Sequence, residues 1–110
     1  MTDINREIEK DLQDIGVEPV FFYPEKFNDL PVVSFYTLTE KGHMSWDNAE
    51  AITYGAVQVD IWDTNPAETG RIADKIKTGL AAKGWAREYS GDVPPEDGIY
   101  HRTIRFSKIF

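Results

Sequence analysis

The stretch Val57–Gly70, "VQVDIWDTNPAETG", sets Asp60 and Asp63 on either side of Trp62. Paired carboxylates beside an aromatic ring are the residue types of general acid/base catalysis, and with further oxygen ligands they are those of a metal site. Both chemistries need convergence: acid and base on one substrate atom, or three or more ligands on one ion. The spacing argues against it. Ile52 to Trp62 alternates, with Val57, Val59 and Ile61 on one parity and Gln58, Asp60 and Trp62 on the other, the pattern of a half-buried strand. Asp60 therefore projects away from the valine face, whereas Asp63 lies on that face at the end of the strand, and the two carboxylates diverge. Asp63, Thr64 and Asn65 are also types that satisfy the free N–H groups of a helix start. The stretch reads as a strand running into a helix.

Other catalytic constellations are no better formed. His43 and His101 can make a ligand trio with Asp47 or Asp60 only if the fold brings them across a sheet. Ser34, Ser45, Ser90 and Ser107 lack the G-x-S-x-G setting, and the glycines match neither nucleotide-binding pattern. With no cysteine in the chain, thiolate nucleophiles, disulfides and cysteine-based zinc sites are excluded. An aromatic pocket built from Trp62, Trp85 and Tyr89 is the remaining route to a small-molecule site. The expectation is a protein without catalytic residues, metal or cofactor. Two segments are instead candidate docking elements: Lys41, Met44 and Trp46, flanked by Asp47 and Glu50, whose apolar side chains either dock a partner or fold back onto their own sheet, and the acidic run Asp92, Glu96 and Asp97, most simply a solvated turn and otherwise an interface. Trp and Met are enriched at the cores of interfaces.

The elements that position these residues follow from periodicity. Ile4, Ile8, Leu12 and Ile15 form one apolar stripe, which predicts a helix over residues 3–15, capped by Thr2 or Asp3 and ended by Gly16. Val17–Tyr23 and Pro31–Thr39 read as strands divided by "PEKFNDLP", with Pro19 pushing the first to a sheet edge. Glu40–Ala51 shows no sustained period and reads as a long loop. Asn65 caps a second helix over residues 66–83, with Pro66 first and Glu68 placed to bond back to the cap. Ile72, Ile76 and Leu80 form its apolar face, with Ala73 and Ala81 beside them, and Gly84 ends it. Trp85–Tyr89 and Tyr100–Phe110 make a long hairpin across "SGDVPPEDGI", whose prolines cannot continue a ladder. In its last strand Tyr100, Ile104 and Phe106 share one parity with the odd charge of Arg102, and His101, Thr103, Arg105 and Ser107 the other. The sum is one α+β domain over residues 1–110, a mainly antiparallel sheet of about four to five strands against two helices.

Composition sets the class of partner. At 110 residues, 41% hydrophobic and 13% aromatic, the chain has the size and make-up of one globular domain. No apolar run approaches the ~18 residues of a membrane span, and the acidic, polar start is unlike a secretory signal, so a cytoplasmic protein is expected. A net charge of −7 argues against phosphate-backbone binding, which needs surplus Lys and Arg. The charge is uneven: Met1–Leu30 holds eight acids and three bases, a net of −5, while the last eleven residues carry Arg102, Arg105 and Lys108 and no acid. Such regions are first of all ordinary solvated surface, and alternatively they meet between copies of the chain.

The order helix, strands, long loop, "VQVDIWD", a helix ending in "KGW", an acidic loop and "GIYHRTIRF" resembles the small tail-completion proteins of long-tailed bacteriophages and prophages, the head–tail joining and tail-terminator proteins. The resemblance spans nearly the whole chain, most clearly Tyr54–Phe106. It implies a non-enzymatic virion protein, assembled in the host cytoplasm as a homo-oligomeric ring at the head-proximal end of the tail. The implied partners are further copies of itself, the tail tube protein and the head connector, with no membrane and no sequence-specific nucleic acid, and a monomer in solution is compatible. Family ring contacts use sheet edges and long loops, here Glu40–Ala51 and Ser90–Ile99. The acidic loop with Asp92, Glu96 and Asp97 is then expected at the lumen or connector, and Arg105 against the acidic first helix of a neighbour. The competing expectation is an acidic inhibitor or antitoxin-like module that binds a basic partner.

Overall fold

The computed structural model describes residues 3–24, 29–44 and 51–110. Helix α1 (Ile4–Asp14) is followed by strands β1 (Val20–Phe21), β2 (Val32–Met44) and β3 (Ala51–Asp63), helix α2 (Pro66–Ala82), and strands β4 (Ala86–Glu96) and β5 (Ile99–Ile109). The strands form one five-stranded sheet in the order β1-β2-β3-β5-β4. Every pairing is antiparallel except β1 with β2. This is the expected α+β fold.

The helices begin and end where their caps dictate. Asp3 accepts the Arg6 N–H at 3.2 Å, and Asn65 accepts the Ala67 N–H at 3.0 Å behind Pro66. Each helix stops at a glycine with positive φ, Gly16 or Gly84, as a left-handed terminus requires. Glu68 does not return to the cap; Arg71, three residues on, takes its carboxylate. Ile4, Ile8 and Leu12 from α1 and Ile72, Ile76 and Leu80 from α2 are buried against Val33, Phe35, Val57, Val59, Ile61, Ile104 and Phe106. Ala73 joins them, whereas Ala81 is exposed. The helices meet closely because Gly79 has no side chain: a Cβ there would stand 2.7 Å from Ile15 Cγ2.

Three strand expectations need correction. The first strand shrinks from Val17–Tyr23 to Val20–Phe21, because Phe22 adopts a φ of 72° and turns the chain over the sheet. As expected, the strand following Pro19 lies at the edge. Glu40–Ala51 is not wholly loop: Glu40–Met44 complete β2 and Ala51 opens β3, while 45–50 lie outside the described residues. A bulge hides the strand from periodicity, since the register passes from Thr37↔Val57 to Thr39↔Ala56 and the extra residue, Leu38, reverses the parity. The acidic loop of the last hairpin is also mostly strand. β4 runs through Pro94 and Pro95 to Glu96, which an edge strand tolerates because its outer N–H groups have no ladder to make. The turn is Asp97–Gly98 alone, with φ of 53° and 75°, the Asp-Gly signature of a tight hairpin. Gly98→Val should therefore destabilise the protein by about 1–2 kcal/mol in urea denaturation, since a β-branched residue is strained at positive φ; an unchanged midpoint would rule out this turn geometry.

Candidate functional site: a buried carboxylate and two open edges

The sheet face opposite the helices is floored by short polar side chains and roofed by large ones. Asp60, in the middle of β3, is fully buried on this outer face. Its Oδ1 lies 2.6 Å from His101 Nε2, and Gln58 Nε2 donates to Oδ1 and Oδ2 at 3.2 and 3.0 Å. When the carboxylate is ionised it can only accept, and Nε2 of His101 is then the donor. Gln58 is oriented by Arg105, whose Nε donates to the amide oxygen at 3.2 Å. The His101 ring stacks on Trp62 with centroids 4.4 Å apart, and Tyr23 reaches Trp62 edge-on at 6.0 Å. Ser34 and Thr103 face Asp60 across the two neighbouring strands, and their buried hydroxyls have no hydrogen-bond partner among the described residues.

Asp60 therefore does more than mark a strand, although its carboxylate is engaged by its own chain. Of the expected trio only Asp60 and His101 meet. His43 pairs with Ile52, ten residues along β3 from Trp62, the partner of His101; at about 3.3 Å per residue the two histidines sit at opposite ends of the sheet. Among the described residues, no three His, Asp or Glu side chains gather as a metal site. The aromatic pocket does not form either. Trp85 is buried on the helix side, where its Nε1–H donates to Asp11 at 2.9 Å, whereas Trp62 lies on the outer face. Trp62 and His101 instead line a shallow cleft of about 210 Å³ with Val93, Pro94, Glu96, Asp97 and Ile99. Alternation along one strand shows where Asp60 points; only the β3–β5 register shows what it meets.

Tyr36 belongs to the same roof, with its ring 5.0 Å from Phe22 and 5.7 Å from Tyr23. Its phenol is pushed up to about 12, first by burial, then by its hydrogen bond with Tyr23 and by nearby negative charge. The fold thus favours the neutral phenol. That stabilisation is complete below the ordinary value of 10.0 and is lost as pH rises towards 12. The unfolding free energy should fall across this window in alkaline denaturation, and Tyr36→Phe should remove its share of the slope; a variant with an unaltered slope would refute the assignment.

The candidate docking residues that are described do not gather in one place. Lys41 is exposed on β2, Met44 ends that strand, and Trp46 lies outside the described residues, as do Asp47 and Glu50. Asp92 and Glu96 are exposed on β4, and Asp97 is exposed in the turn. Arg105 is not a free cation: besides bonding Gln58, its guanidinium lies 5.9 Å from the centre of the Tyr89 ring. Sequence reasoning missed the aromatic edge at β1, where Phe21, Phe22 and Tyr23 are 58%, 50% and 49% exposed. Three neighbouring aromatics are a visible signal, but their pattern also fits an ordinary strand. It also missed the cations between α2 and β4. Burial, then Arg102 and Arg87, depress the pKa of Lys77, while Asp74 and Asp92 oppose the shift.

Among the described residues no helix is long and apolar enough to cross a membrane. Compared with known proteins, the sequence matches no family model and no curated protein.

Proposed function

We propose that this chain is a structural subunit of phage tail assembly: a ring-forming protein at the head-proximal end of the tail that terminates the tube or joins it to the head connector. The observation that carries the reading is the pair of open edges. β1 and β4 lie at opposite ends of one sheet, and both present exposed apolar side chains, Phe21 and Phe22 on one and Tyr89 and Val93 on the other. Two different surfaces on opposite sides suit a head-to-tail contact, which closes into a ring when the rotation permits. The enclosure of Asp60 by Gln58 and His101 further favours a structural over a catalytic role. A net charge of −7 suits a ring through which DNA slides, because an acidic wall gains nothing from counterion release.

The test is electron microscopy of an induced lysate in which the gene is interrupted. Full heads beside free tails of normal length identify a joining protein, and overlong or irregular tails identify a terminator. Intact infectious particles overturn the proposal and favour an acidic inhibitor of a basic partner.

A further inference from the structure

We infer that the contact between copies joins the α1–β1 edge of one chain to the α2–β4 edge of the next, with acids meeting cations beside the helices and apolar side chains meeting on the outer face. The inference rests on the ring-forming reading and names its two surfaces.

Each edge has two levels. On the helix side of the first, residues 3–18 hold six acids against the two bases Arg6 and Lys10; Asp11 and Asp14 are taken up within the chain by Trp85 and Lys83, which leaves Asp3, Glu7, Glu9 and Glu18. Two of these acids, Glu9 and Glu18, have no ion-pair partner among the described residues. On the helix side of the other edge stand Lys77, Arg87 and Arg102; burial first, then the charges of the two arginines, depress the pKa of the lysine. Arg87 has no ion-pair partner among the described residues, and the buried Nε of Arg102 has no hydrogen bond, its carboxylate neighbour Asp92 standing 3.9 Å away. Three neighbouring cations against the two carboxylates Asp74 and Asp92 leave a positive surplus, which incoming carboxylates relieve at the exposed Arg87.

The outer level is apolar on both edges. Val20, Phe22 and Tyr23 are exposed at β1, and Tyr89 and Val93 are exposed at β4 beside Pro94 and Pro95. The prolines have no N–H, so this end of β4 cannot receive a full strand ladder, and side chains must make the contact. In both edges the charged level lies on the helix side, where Phe21 stands beside Glu9 and Arg6, and the other exposed apolar side chains lie on the outer side. A neighbour therefore fits without inversion, as a head-to-tail contact demands. A two-fold contact through either edge would instead set acids against acids or cations against cations, which costs affinity.

The absence of native cysteine makes a cross-linking test specific. Val20→Cys and Val93→Cys, combined in one chain, replace exposed outer-face residues; circular dichroism checks that the variants fold. Under mild oxidation this chain should give a ladder of dimers, trimers and higher species on a non-reducing gel. A chain with only Thr78→Cys, exposed on α2, should give background alone. Arg87→Glu in the double-cysteine chain should lower the laddered fraction about tenfold, and adding Glu9→Lys should restore it. Dimers from Val20→Cys alone would overturn the contact in favour of a two-fold one. No ladder, while the unmodified protein still forms rings in micrographs, would overturn the contact and leave the ring reading standing. No ladder, together with intact infectious particles when the gene is interrupted, would overturn both.

Discussion

Replacing Asp60 by alanine should destabilise the protein by about 3 kcal/mol, which lowers the melting temperature of a domain this size by roughly 13 °C. The loss arises on both sides of the deleted group. The donors of His101 and Gln58 lose their acceptor in a site where the carboxylate was fully buried, and a buried donor without a partner costs more than the net gain of the bond it made. The effect should spread, because Gln58 also holds Arg105 and His101 supports the Trp62 stack. A thermal melt of Asp60→Ala beside His101→Ala and the double variant separates the pair from its surroundings. The two losses should be coupled, with a double variant closer to the worse single than to their sum. A loss below about 1 kcal/mol for Asp60→Ala would mean that water reaches the site and the outer face is an ordinary solvated surface.

Phe106→Ala should cost about 3–5 kcal/mol. Phe106 lies on β5 between Val57 and Arg87, almost wholly buried in the cluster beneath the helices. Its ring fills space that a backbone tied to two strands cannot collapse into. A domain of this size has about 5–15 kcal/mol in all, so the variant should be partly unfolded at moderate urea. Ile109→Ala, three residues on and 69% exposed, should stay within about 0.5 kcal/mol of the parent. Equal midpoints for the two variants would place the core elsewhere.

These two residues mark different depths of legibility. Phe106 was readable as core because it shares a parity with Ile104, and both are buried. Asp60 was readable only as a residue facing away from Val57, Val59 and Ile61. That the outer face is closed depends on Tyr23, Trp62 and His101, which come from three separate segments. The acidic run was misread for a local reason: Pro94 and Pro95 break a central strand but not an edge strand, and the edge position of β4 is a property of the whole sheet. The Asp97–Gly98 turn, by contrast, was present in the sequence as an Asp-Gly pair.

What the sequence by itself determined is what neighbours along the chain decide. Both helices, their Asp3 and Asn65 caps and their glycine ends depend on contacts within about four residues, and the two-faced β3 depends on simple alternation. Tertiary structure decided the sheet order, the bulge at Leu38 that lets β2 continue, and the meeting of His101 with Asp60 across 41 residues. It also committed Arg105 to Gln58 and Tyr89 and left Arg87 free of any ion pair among the described residues. A pairing between distant strands is chosen by packing over the whole sheet, and a shift of one residue would turn every side chain of a strand to the other face.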